Sequence, residues 1–172
     1  MLLPFNGTAP HIDLTAYVQS SARVIGNVHL GAHASIWFNT VVRADVHHIR
    51  IGSRSNIQDN STIHVTGGVW PTVIGDDVTV GHGVILHGCT IGNHCLIGIG
   101  AIVLDGCDIG DECLIGAGAL VTPGTKIAAG HLVLGGPAKV SRKLKPAERE
   151  HIRQSAQNYV DRAVQYRLQG IQ

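Results

Sequence analysis

The chain has 172 residues, of which 44% are hydrophobic and 15% charged, and its 13 basic and 12 acidic side chains give a formal net charge of +1. This length suits one domain with a buried core. The even charge balance gives no electrostatic basis for binding nucleic acid or an anionic membrane. No apolar run approaches the ~20 residues of a membrane helix, and the N-terminus lacks the basic and apolar regions of a signal peptide. We therefore expect a cytoplasmic protein.

Aliphatic residues recur every six positions along most of the chain, often followed by glycine. This period fits neither an amphipathic helix nor an alternating strand, but it fits short strands separated by tight turns. Three strands per coil would form a triangular prism with the aliphatic side chains stacked on its axis. The sequence predicts an all-β solenoid, a hexapeptide parallel β-helix of about seven coils over residues 1–140. The repeat positions are Ile12, Val18, Val24, Leu30, Ile36, Val42, Ile51, Ile57, Ile63, Ile74, Val80, Leu86, Ile91, Ile97, Val103, Ile109, Ile115, Val121, Ile127 and Val133.

Four cysteines, Cys89, Cys95, Cys107 and Cys113, are spaced by six, twelve and six residues. These spacings are multiples of the repeat, which indicates one recurring inward-facing position. We predict reduced thiols, consistent with the expected compartment. A zinc–thiolate site is the less favoured interpretation, because the chain has no CxxC spacing.

The repeat ends before residues 141–172, where the pattern becomes helical. Pro146 suits the first helical turn, and Gly170 suits a stop. About 24 residues would form a helix about 36 Å long, close to the predicted prism height, so we expect it along a prism side within one structural unit. Docking on a neighbouring subunit is the alternative. The apolar stripe consists of Ile152, Ala156, Tyr159 or Val160, Ala163 and Val164.

The repeat loses register at three places. Nine residues replace six from Val42 to Ile51, and five replace six from Leu86 to Ile91. Between them, we count eleven residues in place of twelve from Ile63 to Ile74. Each break lies beside conspicuous polar residues. Since local rules fail mostly at functional or strained sites, the breaks predict the functional site.

Three histidines lie near these breaks. His64 and His82 are 18 residues apart, about one coil, and His87 follows five residues after His82. We expect the three rings near one edge of the prism. Three imidazoles with a fourth position open suit a catalytic divalent metal, most naturally zinc. Ordinary surface histidines are the alternative in a chain with 11 of them.

Four polar residues accompany the histidines. Arg43 and Asp45 are two apart on an extended segment and so point the same way, which favours an ion pair within a subunit or across an interface. Gln58 could orient a metal-bound water, and Asp59 could fix Arg43. Polar turn residues are the alternative for the last two.

Taken together, these motifs resemble the γ-class carbonic anhydrases, a hexapeptide-repeat family with a left-handed β-helix. The resemblance covers nearly the whole chain. It implies a homotrimer that binds Zn²⁺, or Fe²⁺ or Co²⁺, at subunit interfaces. The matching motifs are Arg43-x-Asp45, Asn56-x-Gln58-Asp59-Asn60, Ile63-His64 and Gly81-His82-x4-His87-Gly88.

The resemblance also implies a role for each residue. His64 and His87 would bind the metal from one subunit and His82 from its neighbour. Arg43 and Asp45 would pair between subunits. Gln58 would bond to metal-bound solvent, and Tyr159 on the helix would point at the site or else pack in the core.

The activity implied by the resemblance is reversible hydration of CO₂ to bicarbonate by metal-bound hydroxide. This chain departs from the family at two proton-export glutamates. Val46 stands at the first position, and the loop from His64 to Pro71 has no carboxylate for the second. Proton transfer would then use Tyr159, a nearby histidine or buffer.

Two alternative functions remain open for this chain. The first is an acyltransferase or thioesterase acting on a coenzyme A thioester, and the second is a metal-stabilised trimer without catalysis.

Overall fold

A computed structural model describes residues 1–171, which form a parallel β-solenoid of about seven turns followed by one C-terminal helix. Its strands are short and lie on three faces. Strands β4 (Arg23–Leu30) and β6 (Val41–Ile51) run through a corner and belong to two faces. The prediction of an all-β solenoid is confirmed.

The first face, called the site face, holds the first halves of β4 and β6. The second face holds their second halves. The site face also contains β1 (Leu2–Leu3), β8 (Thr62–His64), β11 (Ile85–His87), β14 (Ile102–Val103) and β17 (Leu120–Val121). The second face also contains β2 (His11–Ile12), β9 (Thr72–Ile74), β12 (Thr90–Ile91), β15 (Asp108–Ile109) and β18 (Lys126–Ile127).

The third face is an eight-stranded sheet. Its last strand turns back and pairs antiparallel with the strand before it, so the chain leaves the solenoid there. The face contains β3 (Tyr17–Val18), β5 (Ser35–Ile36), β7 (Asn56–Ile57), β10 (Thr79–Val80), β13 (Leu96–Ile97), β16 (Leu114–Ile115), β19 (His131–Leu134) and β20 (Lys139–Lys143).

The repeat aliphatics form the core along the prism axis. From Val24 to Val133 they are all buried, and only Ile12 and Val18 in the first turn are partly exposed. All four cysteines are buried free thiols that fill the same interior. Burial raises the pKa of the Cys89 thiol. The cysteines are therefore packing residues, as their spacing predicts.

The register breaks all fall where the site face meets the second face. In β6, residues 45–48 stand opposite the single residue Asn27 of β4, so the three extra residues form a bulge. Ile63 and Ile74 belong to successive faces, so our count of eleven in place of twelve was wrong. Eleven residues there replace six, and the excess forms a loop closed by a bridge between Thr66 and Trp70.

Helix α1 (Pro146–Leu168) lies along the third face of its own prism and contacts β5, β7 and β10. The outward residues of these strands, Ser35, Asn56 and Thr79, are small and buried, which allows close approach. On the helix, Ile152, Ala156 and Ala163 are buried, but Val164 is half-exposed and does not belong to the packed stripe. Residue 172, the end of the predicted segment 141–172, lies outside the described residues. Within the described part of the chain, no helix is both long and apolar enough to cross a membrane.

We expect the axial stack to dominate stability. Leu30→Ala, at a fully buried position, should lower the free energy of unfolding by about 2–5 kcal/mol, because it leaves a cavity in a packed core. Leu14→Ala is the matched control, since Leu14 is 97% exposed, and it should change stability by less than about 0.5 kcal/mol. Urea unfolding at equal protein concentration measures both. Equal losses would mean that the axial stack is not the main core.

Candidate metal centre at two edges of one face

The predicted site residues lie at two opposite edges of the site face. At the corner with the second face lie Arg43 and Asp45 within β6, His64 at the end of β8 and His87 at the end of β11, which we call the trailing edge. At the corner with the third face, the turns after β7 and β10 carry Gln58, Asp59 and His82, which we call the leading edge.

His82 therefore does not share an edge with the other two histidines in one chain. Residues 83–86, which include the start of β11, cross the site face between His82 and His87. Within residues 1–171, no three His, Cys, Asp or Glu side chains lie close enough together to hold a metal ion. The expectation of three rings at one edge, drawn from the 18-residue spacing, is wrong for a single chain. The five-residue insertion after His64 brings His64 into register with His87 instead of His82.

The trailing edge brings two imidazoles into contact. His64 and His87 occupy paired positions on the adjacent parallel strands β8 and β11. Their ring centroids are 5.0 Å apart, and His64 Nδ1 lies 3.0 Å from His87 Nε2. The ladder thus places two potential ligand nitrogens side by side.

The other nitrogen of each ring faces a carboxylate. His64 Nε2 lies 3.0 Å from Asp45 Oδ1, and His87 Nδ1 lies 2.6 Å from Asp105 Oδ1. Arg43 forms an ion pair with Asp45 within the chain. Burial raises the pKa of Asp45, but hydrogen bonds from His64 and Arg43 outweigh it, and the net pKa lies below its usual value. Asp45 is thus held ionised at neutral pH.

These contacts determine what can lie between the two rings. An ionised carboxylate only accepts hydrogen bonds, so His64 Nε2 and His87 Nδ1 must donate. In the neutral rings, the two nitrogens that face each other at 3.0 Å then both carry lone pairs. Two lone pairs at this distance repel unless a cation, a proton or a metal ion, lies between them. Carboxylate-bound imidazoles are also the usual form of histidine ligands, so the donor set fits a divalent metal.

The leading edge shows the same pairing. His82 Nδ1 lies 2.7 Å from Asp59 Oδ2, which leaves Nε2 of the half-exposed ring available. Asp59 therefore contacts His82, whereas we expected it beside Arg43. Gln58 is buried and donates from Nε2 to Asn56 Oδ1 at 3.1 Å. Its amide lies one coil before the His82 turn.

Tyr159 lies on the side of the leading edge, in an aromatic cluster under α1. Its ring packs edge-on against Trp37 at a centroid distance of 5.3 Å, and Arg162 lies over its face at 5.2 Å. Burial raises the pKa of the phenol, and the nearby Asp59 carboxylate adds to the rise although Arg162 opposes it. Tyr159 thus packs against the aromatic cluster, and the Asp59 carboxylate beside His82 also contributes to the raised pKa of its phenol.

The bulge in β6 borders a cavity of about 440 Å³ next to the trailing edge. Asp45, Val46, His47 and His48 line it together with the N-terminal segment around Phe5. Val46 is exposed there, so the position that the family resemblance assigns to a glutamate faces solvent without a charge. His47 Nδ1 accepts the His48 N–H at 2.8 Å.

Sequence reasoning missed three residues around the trailing edge: Thr66, Thr72 and Asp105. The Thr66 hydroxyl donates to Asp105 Oδ2 at 2.9 Å. The Thr72 hydroxyl donates to the His64 carbonyl at 2.5 Å and accepts the N–H of Gly88 at 3.0 Å. Spacing alone would have missed Asp105, because the offset between β11 and β14 is 17 residues, which places Asp105 level with Gly88, one residue beyond His87.

Two hexapeptide models match this chain, a hexapeptide repeat of succinyl-transferase over residues 48–87 and a bacterial transferase hexapeptide over residues 88–123. A carbonic anhydrase from Geobacillus kaustophilus is 43% identical over 97% of this chain and 91% of its own length. The chain belongs to the γ-carbonic-anhydrase-like family of hexapeptide-repeat proteins. Gamma carbonic anhydrase 1 of Arabidopsis thaliana mitochondria is 47% identical over 88% of this chain, which spans only 57% of that relative's length.

Solved structures with the same fold carry other names. A Bacillus cereus protein described as a proposed acetyltransferase is 43% identical to this chain. The alignment covers 96% of each of the two chains, and they superpose with a TM-score of 0.94. Proteins similar to this chain are therefore named for two different chemistries, and names alone do not decide the reaction.

The backbone after both trailing-edge histidines depends on Thr72, which is fully buried. Thr72→Val keeps the shape but removes both hydrogen bonds of the hydroxyl and leaves only the bond from the Gly88 N–H to the His64 carbonyl, so it should lower the free energy of unfolding by about 1–3 kcal/mol. Thr90→Val, at an exposed position on the next strand of the second face, is the matched control and should be nearly neutral. Thermal unfolding at equal protein concentration compares them. Equal stabilities would contradict a structural role for the hydroxyl.

Proposed function

We propose that this protein is a carbonic anhydrase of the γ class, a metal-dependent lyase that interconverts CO₂ and bicarbonate. One observation carries the proposal. Two carboxylate-bound imidazoles, His64 and His87, turn lone-pair nitrogens toward each other at 3.0 Å, and a third carboxylate-bound imidazole, His82, stands at the opposite edge of the same face. Three imidazole nitrogens with an open fourth position suit catalytic Zn²⁺, and Fe²⁺ or Co²⁺ can use the same ligands.

The separation of the two edges supports a homotrimer with shared metal centres. A complete ligand set requires the trailing edge of one subunit to meet the leading edge of another, which is a heterologous contact. Such a contact leaves no edge unpaired when it closes into a ring, and the family resemblance favours a ring of three.

The outer surface of the site face also suits burial in an assembly. Ile85, Ile102 and Leu120 are in register on β11, β14 and β17 and point outward, and Ile85 is 39% exposed. Ile99, in the turn next to His82, is 60% exposed. The corresponding outward row of the second face is polar, with Thr90, Asp108 and Lys126 in register.

The residues of this chain divide the chemistry between them. A bound divalent metal would polarise a water molecule so that it loses a proton near neutral pH. His64, His82 and His87 would hold the metal, and Asp45, Asp59 and Asp105 would hold the three rings. Gln58 would orient the reacting water through its amide, and Arg43 would keep Asp45 ionised.

Proton export is the step at which this chain departs from the family. Val46 offers no carboxylate, and the loop around Trp70 offers none either. The polar groups close to the two edges are His47 and His48 in the cavity and Tyr159 beside Asp59. We propose that buffer and these side chains carry the proton, which predicts hydration that depends strongly on buffer concentration.

The proposal is tested by metal analysis and stopped-flow CO₂ hydration on the wild-type protein and His82→Ala. The wild type should contain one metal ion per subunit interface and hydrate CO₂. His82→Ala should bind the metal at least tenfold more weakly, because it removes one ligand of a shared site. Its trimer should also be weaker and should dissociate at protein concentrations at which the wild-type trimer stays assembled. His151→Ala, on the exposed side of α1, is the control and should behave as the wild type.

The other outcomes separate the alternatives. Full metal content in His82→Ala would mean that His82 is not a ligand. Metal without hydration would indicate a metal-stabilised trimer without this catalysis. A metal-free protein that turns over acetyl-coenzyme A would overturn the proposal in favour of an acyltransferase or thioesterase.

The Tyr159 hydroxyl gives a second kinetic prediction. Tyr159→Phe keeps the packing against Trp37, so stability should change by less than about 1 kcal/mol. If the hydroxyl serves the site, CO₂ hydration should fall severalfold at low buffer concentration and recover at high concentration. Stopped-flow rates over a buffer series measure this. A rate unchanged at every concentration would assign Tyr159 to the core alone.

A further inference from the structure

The carboxylate of Asp105 connects a histidine of the trailing edge to the loop that follows the other one. Its Oδ1 lies 2.6 Å from His87 Nδ1, and its Oδ2 accepts the Thr66 hydroxyl at 2.9 Å. We propose that Asp105 is the positioning residue for His87 and that Thr66 in turn positions Asp105. This inference rests on the proposed function, since the role it assigns is directed at the bound metal.

The contact with Asp105 determines which nitrogen His87 can offer to a metal. By accepting the Nδ1–H, the carboxylate leaves the lone pair on Nε2, the atom that faces His64. The same hydrogen bond fixes the rotation of the ring and increases its basicity. Loss of such a partner typically weakens metal affinity by about 10- to 100-fold.

The residue after His87 must be glycine for this contact to form. Gly88 has a φ of +59°, and a Cβ at this position would overlap Asp105 Oδ1, the oxygen that binds the His87 ring, and lie 2.8 Å from Trp70 Cβ. A side chain at position 88 would therefore displace the carboxylate. The backbone after the ligand is thus shaped around Asp105.

The loop after His64 holds the carboxylate from its other side. Thr66 begins the bridged turn that ends at Trp70, and the Trp70 ring lies over Gly106, the residue after Asp105. A Cβ at Gly106 would come within 3.4 Å of three ring atoms. The loop with the five inserted residues therefore links the strand that ends at His64 to the coil that carries Asp105, and we call this loop the clamp.

The test compares Asp105→Asn with Asp108→Asn in the 172-residue chain. Asp108 lies three residues further on, is exposed and pairs with Lys126 at 3.7 Å, so it matches the charge change without the contact. Competition with a chelator measures Zn²⁺ affinity, and the visible spectrum of the Co²⁺ protein reports ligand geometry. Asp105→Asn should bind Zn²⁺ about 10- to 100-fold more weakly and shift the cobalt spectrum. Asp108→Asn should change neither.

Thr66→Val is the second variant, because it keeps the loop shape while removing the hydrogen bond to Asp105. It should weaken Zn²⁺ binding severalfold, and it decides the question if Asp105→Asn does not fold. Wild-type Zn²⁺ affinity and an unshifted cobalt spectrum in the folded variants would overturn the positioning role of Asp105. The proposed metal centre would still be supported. A wild-type protein that binds neither metal would instead remove the proposed function itself.

Discussion

The parallel ladder between successive coils is the constraint on which the rest of this structure depends. Parallel strands pair with the strand one coil away, so a side chain is fixed beside the side chain one turn earlier and one turn later. On the axis this stacks aliphatic residues into a continuous core. At the edges it stacks polar residues with the same accuracy, and His64 beside His87 is one result.

The ladder also explains how small side chains on short turns form a positioned site. Each histidine and its carboxylate belong to neighbouring coils: Asp59 precedes His82, and Asp105 follows His87. The backbone hydrogen bonds of the ladder therefore hold the two residues of each pair close together on adjacent coils. At the leading edge the ladder places Asp59 level with His82, whereas at the trailing edge Asp105 stands level with Gly88, one residue beyond His87.

Much of the fold could be predicted from the sequence, because period and burial are coupled directly. The aliphatic at every sixth position is buried from Val24 onward, and the cysteines occupy the inner positions that their spacing indicates. Counting failed at one break. A count along the chain cannot tell a missing residue from an inserted loop, so residues 63–74 gave the wrong register. The relation of His64 to His82 and His87 failed with it, since a shift of five residues exchanges the ring that stands beside His64.

The positions of the breaks give a physical reason for the form of the site. The bulge at residues 45–48, the loop at residues 65–71 and the shortened turn after His87 all lie along the trailing edge, on consecutive coils. The repeats around Gln58, Asp59 and His82 are unbroken, with six residues from Ile57 to Ile63 and from Val80 to Leu86. The trailing edge is therefore built by departures from the repeat, which supply the extra chain for Asp45, Thr66 and the clamp on Asp105. The leading edge keeps the regular turn of the repeat, and His82 lies on that turn. The edge that carries two rings and their carboxylates thus has additional chain around it, whereas the edge that carries one ring and its carboxylate needs none.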